Sequence, residues 1–309
     1  MLKYIFKRLG LSVLVLLGVS IIIFSLLRLA PGDPIDFMVA ENATEEQKDL
    51  VREKYGLDKS YVEQYIMWMS NVLHGDLGES LFYKQSNWEL IQAKLPYTAL
   101  LAVSATVLSL LVAIPLGLLA GIKKGSVVDF GAMLFALLGQ ALSPVWIGLV
   151  MMLVFAVHLD WLPPMGYGTL QHLIMPSITL GLPMAALVTR LLRANMINVL
   201  QEDYITAAYA KGAAPLKVNC RYAFKNASIP VITVVGMQLA TYLGGAVTTE
   251  QIFGWPGLGA LTVAAIGNRD YMLVQAIILI TSMILVVMNL LVDLLYTIVD
   301  PRLNLKEMG

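Results

Sequence analysis

The sequence predicts an all-α integral membrane protein with six crossing helices, and two observations carry that reading. The first is composition. Of 309 residues, 58% are hydrophobic and only 14% are charged, with a mean hydropathy of +0.74; a soluble domain averages roughly 25% charged residues. The second is pattern. The apolar residues fall in runs long enough for a crossing helix, which needs about 20 residues. A transmembrane barrel would instead show short segments of alternating polarity.

Six spans follow in order: Leu9 to Leu27; about Thr98 to Ala120, with Pro115 near its end; about Met133 to Val157, interrupted by Pro144; about Leu173 to Leu192, containing Pro176 and Pro183; about Ile229 to Val247; and about Met272 to Val299. Prolines are tolerated inside spans when neighbouring helices or water satisfy the carbonyls they release, so these spans predict a packed bundle. The N-terminal apolar run follows Lys3, Lys7 and Arg8. It exceeds the usual signal-peptide core of roughly 7–15 residues, and no A-x-A site follows, so an uncleaved first span is expected.

Charge sets the orientation. Lys3, Lys7, Arg8, Lys123, Lys124, Arg190, Arg193, Lys211, Lys217, Arg221, Lys225, Arg302 and Lys306 fall on one side, while the short loops of the other side hold only Arg269. Basic residues in short loops mark the cytoplasmic face, which puts both termini in the cytosol. The net charge is zero, with 21 basic and 21 acidic residues; that balance disfavours nucleic-acid binding. The single cysteine, Cys220, excludes an internal disulfide and a Cys-cluster metal site. With no base beside it, it reads as a packing residue.

The segment from Pro31 to Pro96 is soluble in character and expected outside. It holds two amphipathic patterns, "TEEQKDLVREKYGL", with Thr44 as N-cap and Gly56 as stop, and "YVEQYIMWMSNVL". A small cap on the outer face and a platform for an external partner are equally consistent with it.

Between spans four and five lies "DYITAAYAKGAAPLKVNCRYAFKNASIP". Asp203 is placed to cap a helix through "YITAAYAKG". Gly212 and Pro215 break it, and "LKVNCRYAFKNA" can resume as a helix. Ala207, Ala208, Ala210, Gly212, Ala213 and Ala214 leave the turn nearly bare, and small residues permit close approach of another helix or backbone. The alternative is a loop lying on lipid with its lysines on anionic headgroups. Such a loop calls for large apolar residues where this one has alanines.

Other candidates are weaker. Asp293 lies inside span six with Asn289 at i−4; an intramembrane carboxylate is an ion-site hypothesis by default, but no other acid accompanies it, which favours a structural hydrogen bond. Glu250 closes span five, followed by Gly254, Pro256, Gly257 and Gly259. It is either an exposed acid on a re-entrant turn or a gate at the outer mouth, with glycines allowing tight backbone there. His74, His158 and His172 all fall in outer segments. Imidazole suits nickel, yet two histidines 14 residues apart without acidic company read as surface residues. No G-x-x-x-x-G-K-[ST] phosphate loop is present, and "GIKKGS" (121–126) lacks its spacing. An ion-coupled secondary transporter would call for more charges within the spans, and a membrane enzyme for a catalytic constellation that is not visible.

The loop between spans four and five resembles the "EAA" cytoplasmic loop of bacterial ABC importer permeases: Thr206-Ala207-Ala208, three residues, then Gly212. Thr206 stands where that family has Glu, and the hydrophobic-Pro ending is Ile229-Pro230. "LLRLAPGDP" (26–34), "YGLDKSYVEQY" (55–65), "GDLGESL" (75–81), "RLLRANMINVLQEDYI" (190–205), "RYAFKNASIPVIT" (221–233), "EQIFGWPGLG" (250–259), "NRDY" (268–271) and "LVDLLYTIVDPR" (291–302) are similar, in the same order, to the dipeptide/oligopeptide/nickel subfamily, B-type chain. That resemblance implies a six-helix type I importer transmembrane domain in a bacterial cytoplasmic membrane. It implies a heterodimer with a second homologous permease, two ATP-binding subunits that carry ATP and Mg, and an extracytoplasmic substrate-binding protein. It makes Asp203, Thr206, Ala207, Ala208, Gly212 and Pro215 the ATPase-coupling loop, in a non-catalytic subunit that binds no cofactor itself. Glu250, Gly254 and Gly257 are the candidate outer gate. Di- or oligopeptides are the expected substrate, with nickel, free or chelated, as the alternative; in that alternative His158 and His172 are the candidate ligands. The expected organisation is 1–30 for the cytosolic end and first span, 31–96 for the extracytoplasmic segment, 97–300 for a five-helix core with the coupling loop at 196–228, and 301–309 for a cytosolic tail.

Overall fold

The computed structural model describes residues 2–29, 44–46, 49, 53 and 58–299. The first amphipathic pattern of the outer segment, including Gly56, and the tail 301–309 lie largely or wholly outside the described residues.

Twelve helical elements cover most of the described residues: α1 Leu2–Leu29, α2 Tyr61–Leu73, α3 Asn87–Ile122, α4 Val127–Ala141, α5 Pro144–His158, α6 Leu170–Leu200, α7 Asp203–Ala210, α8 Pro215–Ala227, α9 Ile229–Leu243, α10 Val247–Phe253, α11 Leu258–Gly267 and α12 Tyr271–Val299. α5 turns π-helical from Met152 and α8 between Val218 and Ala223. Among the described residues four helices are long and apolar enough to cross a membrane, or six if each of the bent pairs α4–α5 and α8–α9 counts as one span.

The breaks have local causes. Leu142 and Ser143 are extended because a residue before proline is pushed out of the helical region. Pro144 then starts α5, the Ser143 hydroxyl caps it at the Val145 N–H, and α4 and α5 meet at 102°. By contrast α6 runs unbroken through Pro176 and Pro183, and the Tyr242 hydroxyl of α9 donates to the Leu180 carbonyl at 3.0 Å beside the second proline. α3 starts at Asn87, ahead of the expected span, and absorbs Pro96. At 36 residues it is about 54 Å long, well beyond a hydrocarbon core of about 30 Å. The last part of the segment expected to be extracytoplasmic, 87–96, is therefore the first turns of this helix. Asn87 fixes that start by donating to the Leu77 carbonyl at 2.9 Å.

α2 has the boundaries that its sequence pattern predicts. Its start is a capping box: Ser60 Oγ accepts the Glu63 N–H, and the Glu63 carboxylate accepts the Ser60 N–H at 3.0 Å and its hydroxyl at 2.9 Å. The Ser60 donors hold the Glu63 carboxyl below the usual carboxylate range. A depressed carboxylate stabilises the fold above that range and loses its contribution as pH falls through and below it. Protection of the amides at the start of α2, taken relative to their intrinsic exchange rate at each pH, is expected to fall on acidification, and Glu63→Gln to blunt that pH dependence.

Two apolar clusters organise the bundle. The larger joins α3 and α6 to α7, α8 and α9 through Leu101, Met184, Leu192, Met196, Ile205, Val218 and Val231. The smaller joins α1, α11 and α12 through Ile23, Leu258, Leu261, Leu273 and Ile277. At the α3–α6 crossing the backbones are almost in contact. A Cβ on Gly117 would lie 2.9 Å from the Thr189 carbonyl, one on Gly181 2.7 Å from the Ala105 carbonyl, and one on Gly121 would fall on Met196.

α1 and α12 run antiparallel. Ile23 shares a cluster with Leu273 and Ile277 near the start of α12, while Arg8 pairs with Asp293 near its far end, at 2.9 Å. The α3–α4 turn, the exit of α6 and the start of α9 lie toward that same far end, because Asp129 reaches Arg193 and Gly236 packs on Val292. The helix order thus collects most of the short-loop lysines and arginines at one end of the bundle.

Candidate functional site: a bare turn and a buried outer carboxylate

α6 ends at Leu200, and only Gln201 and Glu202 separate it from α7. The expected cap is displaced by one residue. Glu202 is the extended N-cap, without a side-chain hydrogen bond, and Asp203 is the first helical residue. There its carboxylate favours the positive end of the helix dipole rather than closing a cap.

α7 stops at a Schellman motif. The Gly212 N–H donates to the Tyr209 carbonyl at 2.9 Å and the Ala213 N–H to the Ala208 carbonyl at 3.2 Å. Gly212 has φ +78°, which the motif requires, and nothing lies within 4 Å of where its Cβ would be. Pro215 then opens α8 as its first residue. The helix–turn–helix is the one expected from the residues.

The inward faces of both helices are seated by Ile205, Val218, Ala223 and Ala227, all buried in the larger cluster. The outward side presents Thr206, Ala207, Gly212, Ala214 and Pro215, with Leu216 76% exposed. Ala208 differs from its neighbours and packs half-buried against the core. Two cross-ties were not foreseen. Asn226 Nδ2 donates to the Tyr204 hydroxyl at 2.8 Å, and the Tyr209 hydroxyl donates to Asn219 Oδ1 at 3.2 Å. Cys220 is exposed on α8, so packing does not describe it. Lys211, Lys217, Arg221 and Lys225 are exposed as well. The result is a braced, cationic knob with a bare apex.

At the other end of the bundle the structure corrects the reading of Glu250 as an exposed acid, since its carboxylate is fully buried. Oε1 accepts the Thr98 hydroxyl of α3 at 2.9 Å, and Oε2 accepts the Ala260 N–H of α11 at 2.8 Å. Thr98 Oγ1 in turn accepts the Leu258 N–H at 2.8 Å. One side chain therefore joins α3, α10 and α11. Gly257 is needed because a Cβ there would fall on that carboxylate. Gly254 is the left-handed C-cap of α10, with φ +60°.

Above this layer Trp255 Nε1 donates to the Tyr97 carbonyl at 2.9 Å, and the Tyr97 ring meets those of Trp255 and Tyr167 edge-on. The Gly166 N–H donates to the Phe253 carbonyl at 2.9 Å, strapping the loop that follows α5 over the end of α10. The sequence offered Glu250 and its glycines. The aromatic contacts come from three distant segments and carry no spacing signal.

Asp293 has a partner that its own helix does not supply. Arg8 of α1 lies 2.9 Å away, which makes the residue a tie between the first and last helices. His158 ends α5 and is exposed, and His172 Nδ1 lies 2.7 Å from Thr169 Oγ1. Among the described residues no group of three or more His, Cys, Asp or Glu is placed to hold a metal ion.

Comparison with known proteins meets this architecture directly. Residues 113–305 match the family described as binding-protein-dependent transport system inner membrane component, and residues 1–102 match its N-terminal membrane-component family. The oligopeptide transport system permease protein AppB of Bacillus subtilis is 38% identical over 98% of this chain and 100% of its own length. The dipeptide transport system permease protein DppB of Escherichia coli K12 is 35% identical, covering 99% of this chain and all of its own length. The glutathione transport system permease protein GsiC of Escherichia coli O6:H1 is also 35% identical over 99% of this chain. With both parts of the chain matched in order and whole-length relatives well above 30% identity, the chain belongs to the inner-membrane permease components of binding-protein-dependent ABC importers.

Proposed function

We propose that this chain is the half-channel of a peptide importer, forming the translocation path together with a second, related permease chain. Two ATPase subunits carrying ATP and Mg drive it, and an extracytoplasmic binding protein feeds it. The observation that carries the reading is the braced helix–turn–helix of α7 and α8. Its inward face is locked into the core and its apex at Gly212 is empty of side-chain bulk. A knob of that form fits a cleft on another subunit, and its direct junction with α6 turns movement of the cleft into movement of a span.

In this reading the knob and both chain termini face the cytosol, as the distribution of basic residues favours. Closure of the ATPase pair rotates the attached helices as a rigid body and switches access from one side to the other. Hydrolysis belongs to the separate subunits, because this sequence has no phosphate-binding loop. The Glu250 layer with Gly254 and Gly257 serves as the outer gate, in the sense of a buried latch rather than a lining group. The outer segment is the docking platform for the binding protein.

Relatives named for oligopeptide, dipeptide and glutathione transport support a short peptide as the cargo. The nickel alternative gains nothing from these names. His158 and His172 are incidental in this reading. In a strain deleted for this chain, uptake of a labelled short peptide is expected to fall to background while labelled nickel enters normally. Normal peptide entry with loss of nickel would overturn the assignment of cargo.

A further inference from the structure

The turn between α3 and α4 and the exit of α6 meet at one carboxylate to which the importer reading assigns no role. Asp129, in the first turn of α4, is 4% exposed. Its Oδ1 accepts the Arg193 Nε–H, and its Oδ2 accepts the second arm of the guanidinium at 2.7 Å. Oδ2 also accepts the Gly125 N–H at 2.9 Å, and the Asp129 N–H donates to the capping Ser126 Oγ at 3.3 Å. One side chain thus fixes the turn, the start of α4 and the last turns of α6. A bidentate pair sets direction as well as distance.

The surroundings make the pair a register contact. Arg193 lies within α6, which continues to Leu200 and passes through two linking residues into α7. At the neighbouring α3–α6 contact Gly117 lies against Leu192 and the Thr189 carbonyl, and Gly121 against Met196 and the Arg193 carbonyl, so the two helices are closely apposed along the turns that carry Arg193. A slip of α6 past α4 by one helical rise, about 1.5 Å, would pull both charged hydrogen bonds away from their paired geometry. Beyond the pair, α4 extends about 20 Å to the break at Ser143. α5 then sets Gly148 against Ile252 and Phe253 of α10, each 3.4 Å from where a Cβ would be. α10 carries Glu250.

We propose that the Asp129–Arg193 pair is the positioning contact that passes displacement of the α7–α8 knob to α4, and through α4 and α5 to the outer latch. The proposal rests on the importer reading above. It assigns a transmission role to two residues that lie outside both the α7–α8 knob and the Glu250 layer.

The test uses the complete complex in proteoliposomes, with ATP hydrolysis and delivery of a labelled short peptide measured together. Asp129→Asn and Arg193→Gln are expected to assemble and hydrolyse ATP while delivering about two- to thirtyfold less peptide per ATP, the range for residues that modulate coupling between sites. Arg193→Lys, which keeps the charge but not the fork, is expected to fall between them and the unchanged complex. An unchanged peptide-to-ATP ratio in assembled variants overturns the proposal. Should Asp129→Asn fail to assemble, Arg193→Lys decides by the same ratio. Absence of peptide delivery by the unchanged complex would instead defeat the importer reading itself.

Discussion

Gly212→Arg is expected to abolish peptide uptake while leaving the bundle folded. The position is suited to separating the two effects, because a Cβ at Gly212 meets nothing within 4 Å and points into open space. Any loss must then come from a neighbouring subunit or from the backbone conformation. The backbone contribution is bounded: a non-glycine residue at φ +78° costs about 1–2 kcal/mol, less for asparagine, which tolerates the left-handed region. Gly212→Asn therefore serves as the control. It is expected to retain most uptake, whereas arginine loses it by at least about two orders of magnitude if its bulk and charge keep the knob out of its cleft, a loss of docking of about 3 kcal/mol or more. Assembly is read from co-purification of the ATPase subunits, folding from thermal unfolding of the purified complex. Equal loss with asparagine and arginine would trace the effect to the turn itself. Normal uptake with arginine would remove the docking reading. Ala208→Glu is a poorer probe, since Ala208 packs half-buried against the core and a carboxylate there disturbs the seat as well as the surface.

Glu250→Ala is expected to be the most destabilising single change in the outer half. Truncation leaves the Thr98 hydroxyl and the Ala260 N–H without their acceptor in a site with no exposure. Each buried donor left without a partner costs about 1–3 kcal/mol, so the pair amounts to about 2–6 kcal/mol. Glu250→Gln keeps the shape but turns an amide NH2 toward one of the two donors, and should fall between alanine and the native residue. Gly257→Ala tests the same latch from the other side, because its Cβ would occupy the carboxylate's position. Thermal unfolding of the detergent-solubilised complex checks all three. Full stability in Glu250→Ala would show that the carboxylate is dispensable to the α3–α10–α11 junction.

The legible part of the fold is its local part. The long apolar runs give α1, α6 and α12, and the pattern from Tyr61 to Leu73 gives α2 to the residue, because its cap and its apolar stripe lie within one stretch of chain. Pro144 gives the α4–α5 break for the same reason. Proline misleads in α3, where a helix anchored by Asn87 carries Pro96 without interruption. The turn at Gly212 was legible because small residues and Pro215 are neighbours. The carboxylates were not. Glu250 reads as exposed because its acceptor role depends on Thr98, 152 residues away. Asp293 reads as lacking company because Arg8 belongs to the first span. Asp129 does carry a signal, namely a lone acid opening one span and an arginine near the end of another, but nothing local joins the two. Pairing of such charges is tertiary information, and neither helical periodicity nor turn chemistry carries it.

The tie between Arg8 and Asp293 also has a consequence in time. The two residues stand 285 positions apart, at opposite ends of the chain. At a synthesis rate of about 5–20 residues per second, the first helix is in place for roughly a quarter of a minute to a minute before its acid has been made. The contact between α1 and α12 at this pair therefore forms late in synthesis, long after α1 itself.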